Sequence, residues 1–103
     1  MIRIGNKKHG DKGEYVGRPS PLGNPFKVKE FGQAGACAAY EQWFSKIIKA
    51  GPITNPSVFA ELDKLYNIYI KNGELTLLCW CAPKRCHSET IRNWLEERLL
   101  KEK

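Results

Sequence analysis

No stretch of this 103-residue sequence is apolar for long enough to cross a bilayer. The opening Met1-Ile2-Arg3-Ile4-Gly5-Asn6 also lacks the apolar centre of a signal peptide. Neither membrane insertion nor secretion is expected, and the cytoplasm is the expected location. Repeats and low-complexity tracts are absent too, so a repetitive architecture is not expected. The chain is too short for two hydrophobic cores, and one domain over residues 1–103 follows. With 42% hydrophobic and 27% charged residues it has the composition of a folded chain rather than a disordered one.

Acidic side chains are scarce in the first 29 residues, where Asp11 and Glu14 face Arg3, Lys7, Lys8, Lys12, Arg18, Lys27 and Lys29. Five of the six net positive charges therefore fall there. A phosphate-bearing partner, nucleotide or nucleic acid, is the natural complement to such a segment, with Lys7, Lys8 and Lys12 as candidate nucleic-acid contacts. A merely basic, solvated surface is the plainer alternative. Cysteine and histidine are few, four and two. In a reducing compartment the cysteines are expected to stay reduced and to serve packing, metal binding or reactivity.

What is present is unevenly placed. Three of the cysteines and one histidine fall in Leu77-Leu78-Cys79-Trp80-Cys81-Ala82-Pro83-Lys84-Arg85-Cys86-His87. Residues 75–81 form a nearly continuous apolar run, the pattern of an interior strand. Along a strand Cys79 and Cys81 would share one face, about 6.5 Å apart, with Trp80 on the other. Two shorter strands are expected around Ile2 and Ile4 and at Tyr15-Val16, joined by a polar, cationic loop.

Residues 17–26, Gly-Arg-Pro-Ser-Pro-Leu-Gly-Asn-Pro-Phe, carry three prolines and exclude helix and regular strand. Prolines restrict this loop before anything binds, which lowers the cost of presenting Arg18, Ser20 and Asn24 to a ligand. Arg18 offers a planar fork suited to carboxylate or phosphate. Alternatively the loop only connects layers, with Leu22 and Phe26 as anchors and Arg18 in a salt bridge.

Three helices complete the chain. Over 34–50, Cys37, Tyr40, Phe44, Ile47 and Ile48 recur at helical spacing, and Gly51-Pro52 ends the pattern. Cys37 falls on this stripe and reads as a small core residue. Asn55-Pro56 starts a second helix with the stripe Phe59, Leu62, Leu65 or Tyr66, and Tyr69. The segment 68–77 also reads as a hairpin around Asn72-Gly73. The unbroken three-to-four spacing favours a helix to about Lys71, with Asn72-Gly73 as a left-handed cap. The last helix starts near residues 86–88 and runs to about Lys101, burying Ile91, Leu95 and Leu99. The fold class is thus α/β, or α+β, with about three strands and three helices.

Three readings of the cysteine-histidine cluster remain open. Cys86, at a helix start beside Lys84 and Arg85, is placed to favour a thiolate, making Cys86 a candidate nucleophile with His87 as acid, base or oxyanion donor. Zinc is a second reading, but two ligands from a strand and two sequence neighbours do not match the usual paired spacing, so no metal or other cofactor is expected. The third is structural, with Cys79 and Cys81 as small buried residues. Cys86 and Arg92 share the bare spacing of a phosphatase loop, but the intervening residues contain no glycine and include Glu89, which sets that motif aside.

Taken together, the segments 17–26 and 78–87 resemble a domain-of-unknown-function family found in bacteriophages and bacteria. Its hallmarks are a Gly-Arg-x-Ser-x-x-Gly-Asn-Pro-Phe loop and a Cys-Trp-Cys-x-Pro-x-x-Cys-His segment. Tyr40 and Trp43 fit its usual layout, whereas Ser88-Glu89 replaces a small residue followed by aspartate. The resemblance implies a small α/β domain in which the loop meets the strand end. A ligand would then be held by Arg18, Ser20, Asn24 and Cys81, beside Cys86 and His87. The function expected is binding of an anionic small molecule, nucleotide or nucleic acid, with enzymatic activity left open. The rival is a non-enzymatic module that binds a host protein or DNA, with the cluster structural or zinc-bound.

Overall fold

The structure is a computed structural model that describes residues 1–102 except Asp11, Pro19 and 81–86, and excepting the side chains of His9 and Val28. Its elements run β1 (Ile2–Asn6), a 3-10 turn (Lys7–His9), β2 (Glu14–Tyr15), α1 (Val28–Ala50), α2 (Pro56–Asn72), β3 (Leu75–Cys79) and α3 (Ser88–Glu102).

The apolar run does take the interior of the sheet, in the strand order β1-β3-β2. Both neighbours pair with β3 in parallel, Ile2 opposite Leu75 and Tyr15 opposite Leu78. An all-parallel sheet with helices settles the class as α/β. Parallel pairing also brings the carboxyl ends of all three strands to one edge, where open α/β sheets bind their ligands. Asn6, Tyr15 and Cys79 end the strands there.

Strand β3 stops at Cys79, two residues short of the expected end, and Trp80 is a bend residue with 54% of its surface exposed. The expected facing of Trp80 into a second layer does not hold. The reason lies in the partner: β1 ends at Asn6 opposite Cys79, and its side-chain Nδ2 then donates to the Trp80 carbonyl at 3.3 Å. A side chain thus takes the place of the next ladder bond. Cys81 lies outside the described residues.

One core joins Ile2, Leu75 and Leu77 to side chains from all three helices, among them Tyr40, Phe44, Leu62, Leu65, Ile91 and Leu95. Helix α1 starts earlier than its stripe predicts. Gly32, at φ 73° and ψ 167°, breaks the helical geometry, so a short first turn precedes the amphipathic part. Helix α2 ends as expected, with Gly73 in the left-handed region and its N–H donating to the Tyr69 carbonyl at 2.8 Å. Its buried face uses Val58 rather than Phe59, with Leu62, Leu65, Tyr66 and Tyr69. Both Leu65 and Tyr66 are inside, because a stripe wider than one row is needed to cover a sheet. Among the described residues, no helix is long and apolar enough to cross a membrane.

Candidate functional site

At the carboxyl edge of the sheet a cavity of about 440 Å³ opens between the 17–26 loop, the start of α1 and the start of α3. Arg18 and Asn24 line it from the loop, Cys37 from α1, Cys79 and Trp80 from the end of β3, and His87 from the turn into α3. The two segments singled out by sequence therefore meet.

The loop is held from below. Leu22 is fully buried, and its carbonyl accepts from the Tyr40 hydroxyl at 2.8 Å in the interior. Asn24 spans the gap to α1, donating from Nδ2 to the Ala36 carbonyl at 3.2 Å and accepting at Oδ1 from the Phe26 amide at 2.8 Å. Much of its polar capacity is thus spent on shaping the wall. Ser20 is not among the lining residues described, and its hydroxyl accepts from the Leu22 amide at 3.2 Å. That contact is the local turn short polar side chains make with the backbone two residues on. Leu22 and Phe26 act as anchors, as the connector reading anticipated, while Arg18 is exposed at the rim.

Gly23 carries a close approach that no other residue tolerates. A Cβ there would lie 2.8 Å from the Arg18 amide nitrogen and 2.9 Å from its Cα. Backbone cannot swing aside as a flexible side chain can. Gly23→Ala is expected to displace Arg18 and to cost about 1–3 kcal/mol of stability in urea titrations, the range for forced overpacking.

His87 is buried, with 7% of its surface exposed. Its Nε2 lies 2.8 Å from the Val16 carbonyl, and Val16 in turn donates its amide to the Leu78 carbonyl at 3.0 Å. A carbonyl only accepts, so Nε2 carries the proton. Burial pushes the ring's pKa below its ordinary value, opposed by the Val16 carbonyl and by Cys79, while the Arg18 charge adds to the lowering. In its neutral form the ring therefore carries its lone pair on Nδ1. The ring also meets Tyr40 edge-on, centroids 5.0 Å apart. Its own carbonyl accepts from the Thr90 and Ile91 amides at 3.1 and 3.5 Å, so His87 sits at the turn that starts α3. Cys86, the candidate nucleophile, and Cys81 lie outside the described residues.

The three lysines do not form one patch. Lys7 lies over two of the rings that line the cavity, its Nζ 4.3 Å from the Tyr15 ring centroid and 5.8 Å from that of Trp80. Lys8, next to it, is exposed, and its amide donates to Asn6 Oδ1 at 2.8 Å. Lys12 lines a separate cleft with Gly13, Leu75 and Thr76, at the amino end of β3. Among the described residues, no group of three His, Cys, Asp or Glu side chains could hold a metal ion.

Asn6, Tyr15 and Cys37 were not selected from sequence. Asn6 is buried and bridges the ends of β1 and β3. An asparagine closing an alternating strand before a polar loop was the available signal. Tyr15 and Cys37 read only as strand and core residues. A larger cleft of about 610 Å³ runs between α1 and α3, where Glu41, Glu89 and Glu97 outnumber Lys49 and Lys101, a poor balance for an anion.

A family described as a domain of unknown function (DUF4326) matches residues 2–97. No curated protein and no solved structure matches.

Proposed function

The chain belongs to that family, whose description assigns no activity, and we propose that it binds a phosphate-bearing nucleotide or nucleic-acid ligand in the cavity between the 17–26 loop and the start of α3. The observation that carries this reading is the meeting of Arg18 with His87 and the carboxyl ends of two parallel strands, β2 and β3, around one cavity. Its volume falls within the range of small-molecule sites.

Arg18 is the anion-holding group, because its guanidinium pairs two parallel N–H donors with phosphate oxygens. Asn24 sets the loop's shape, and His87 is the proposed acid-base residue of the site. Cys86, one residue before His87 in the chain, is the proposed nucleophile if the ligand is also a substrate. A bacteriophage or bacterial setting and a cytoplasmic location belong to the same proposal.

The test is calorimetry with inorganic phosphate and a ribonucleoside 5′-monophosphate. Arg18→Ala is expected to weaken the monophosphate by at least about tenfold, the low end for losing a hydrogen bond to a charged group. Unchanged affinity would sink the proposal.

A further inference from the structure

Trp80 is a large aromatic left more than half exposed, yet it is not loose. Its Nε1 donates to the Tyr15 hydroxyl at 2.9 Å, and that hydroxyl donates to the Arg18 carbonyl at 2.8 Å. The two rings meet edge-on with centroids 6.4 Å apart, and Lys7 lies over both. The chain of bonds ties the end of β3 to β2 and to the loop, so the Trp80 plane is set relative to Arg18. Gly17 belongs to the same arrangement: a Cβ there would come within 2.6 Å of the Tyr15 ring carbon that bears the hydroxyl.

A solvent-facing indole held at fixed geometry beside two cations is costly as mere surface. It exposes apolar area to water, and it orders a ring that core packing does not need. It matches what a nucleotide presents, a flat base that stacks on an aromatic plane and an anionic phosphate that seeks a cation. A sugar phosphate would satisfy Arg18 but leave the indole unused.

We infer that the cavity takes a mononucleotide, its base stacked on Trp80 and its phosphate on Arg18 with Lys7 as the second cation. The inference rests on the phosphate-ligand reading above. A single nucleotide is favoured over a strand because Lys12 stands at the far end of β3, which interrupts the continuous basic groove that a strand's backbone would follow.

The experiment compares a ribonucleoside 5′-monophosphate, ribose 5-phosphate and a short single-stranded oligonucleotide by calorimetry. The variants are Trp80→Leu and Trp80→Phe, and each fold is checked by circular dichroism. The native chain is expected to bind the monophosphate about fivefold or more tighter than ribose 5-phosphate, the low end of what one stacked base contributes. Trp80→Leu removes that preference, so that the two phosphates bind alike, and Trp80→Phe keeps part of it. Equal, Arg18-dependent affinities for the two phosphates in the native chain would overturn the stacking inference and leave the phosphate site standing. Binding of the oligonucleotide alone would overturn the mononucleotide assignment, and no binding of any of the three would overturn both readings.

Discussion

Tyr40→Ala is expected to lower unfolding free energy by about 3–5 kcal/mol, read as a drop in the urea midpoint, and to abolish ligand binding in whatever fraction stays folded. A loss of that size is a large share of the stability of a small domain. Tyr40 is fully buried on α1, and its ring contacts those of Trp43, Phe44 and His87. Removing it leaves a cavity at the point where α1, the turn into α3 and the loop meet. It also removes the donor that holds the Leu22 carbonyl in the interior. The milder Tyr40→Phe separates the two effects. It keeps the packing and orphans one buried acceptor, for an expected cost of about 1–3 kcal/mol. If Tyr40→Phe matched the native urea midpoint, the hydroxyl would not be what seats the loop.

The second large effect concerns acid. His87→Leu deletes the Nε2–H donor and leaves the Val16 carbonyl buried without its partner, for an expected loss of about 1–3 kcal/mol at pH 7.5. The same variant should alter the pH dependence of stability. In the native chain burial holds the ring's pKa below its ordinary value of 6.5. Above that value the ring is neutral whether folded or not, and His87 adds no pH dependence. Below it the unfolded chain takes up a proton that the folded chain does not, so stability falls as the pH drops. The fall continues to the lowered folded pKa and then levels off. Urea titrations at pH 7.5 and 5.5 should show this loss in the native chain and a smaller loss in His87→Leu. Equal losses in both would remove His87 as the source.

Most of the fold could be read from spacing, and where it could not, the deciding information lay elsewhere in the chain. The helix over 56–72 was distinguishable from a hairpin because three-to-four periodicity is local and repeated, and it outweighs one Asn-Gly pair. The end of β3 was not distinguishable. It depends on how far β1 runs beside it and on Asn6 reaching the Trp80 carbonyl across most of the chain length. Residue type marked the loop at 17–26, since prolines leave few backbone options, and Leu22 and Phe26 anchor it. The orientation of Ser20 was beyond reach of composition. A serine in a turn chooses between a ligand and its own backbone, and here the Leu22 amide lies two residues away. Tyr15 illustrates the same limit in the site. It reads as one apolar strand position, and its part in fixing Trp80 and Arg18 arises only once β2 is laid beside β3.

The strand order has a consequence for how the molecule is made. Among the described residues every pairing in the sheet involves β3, and β3 is the last of the strands to be synthesised. While residues 1–72 emerge from a ribosome, β1 and β2 have no strand to pair with, and only helical contacts can form early. The sheet then closes in one late event between segments distant in sequence, the kind of contact that slows folding. The cavity at the strand ends exists only after that event. A nascent chain released before Leu75 would carry Arg18 and its loop with no site to serve.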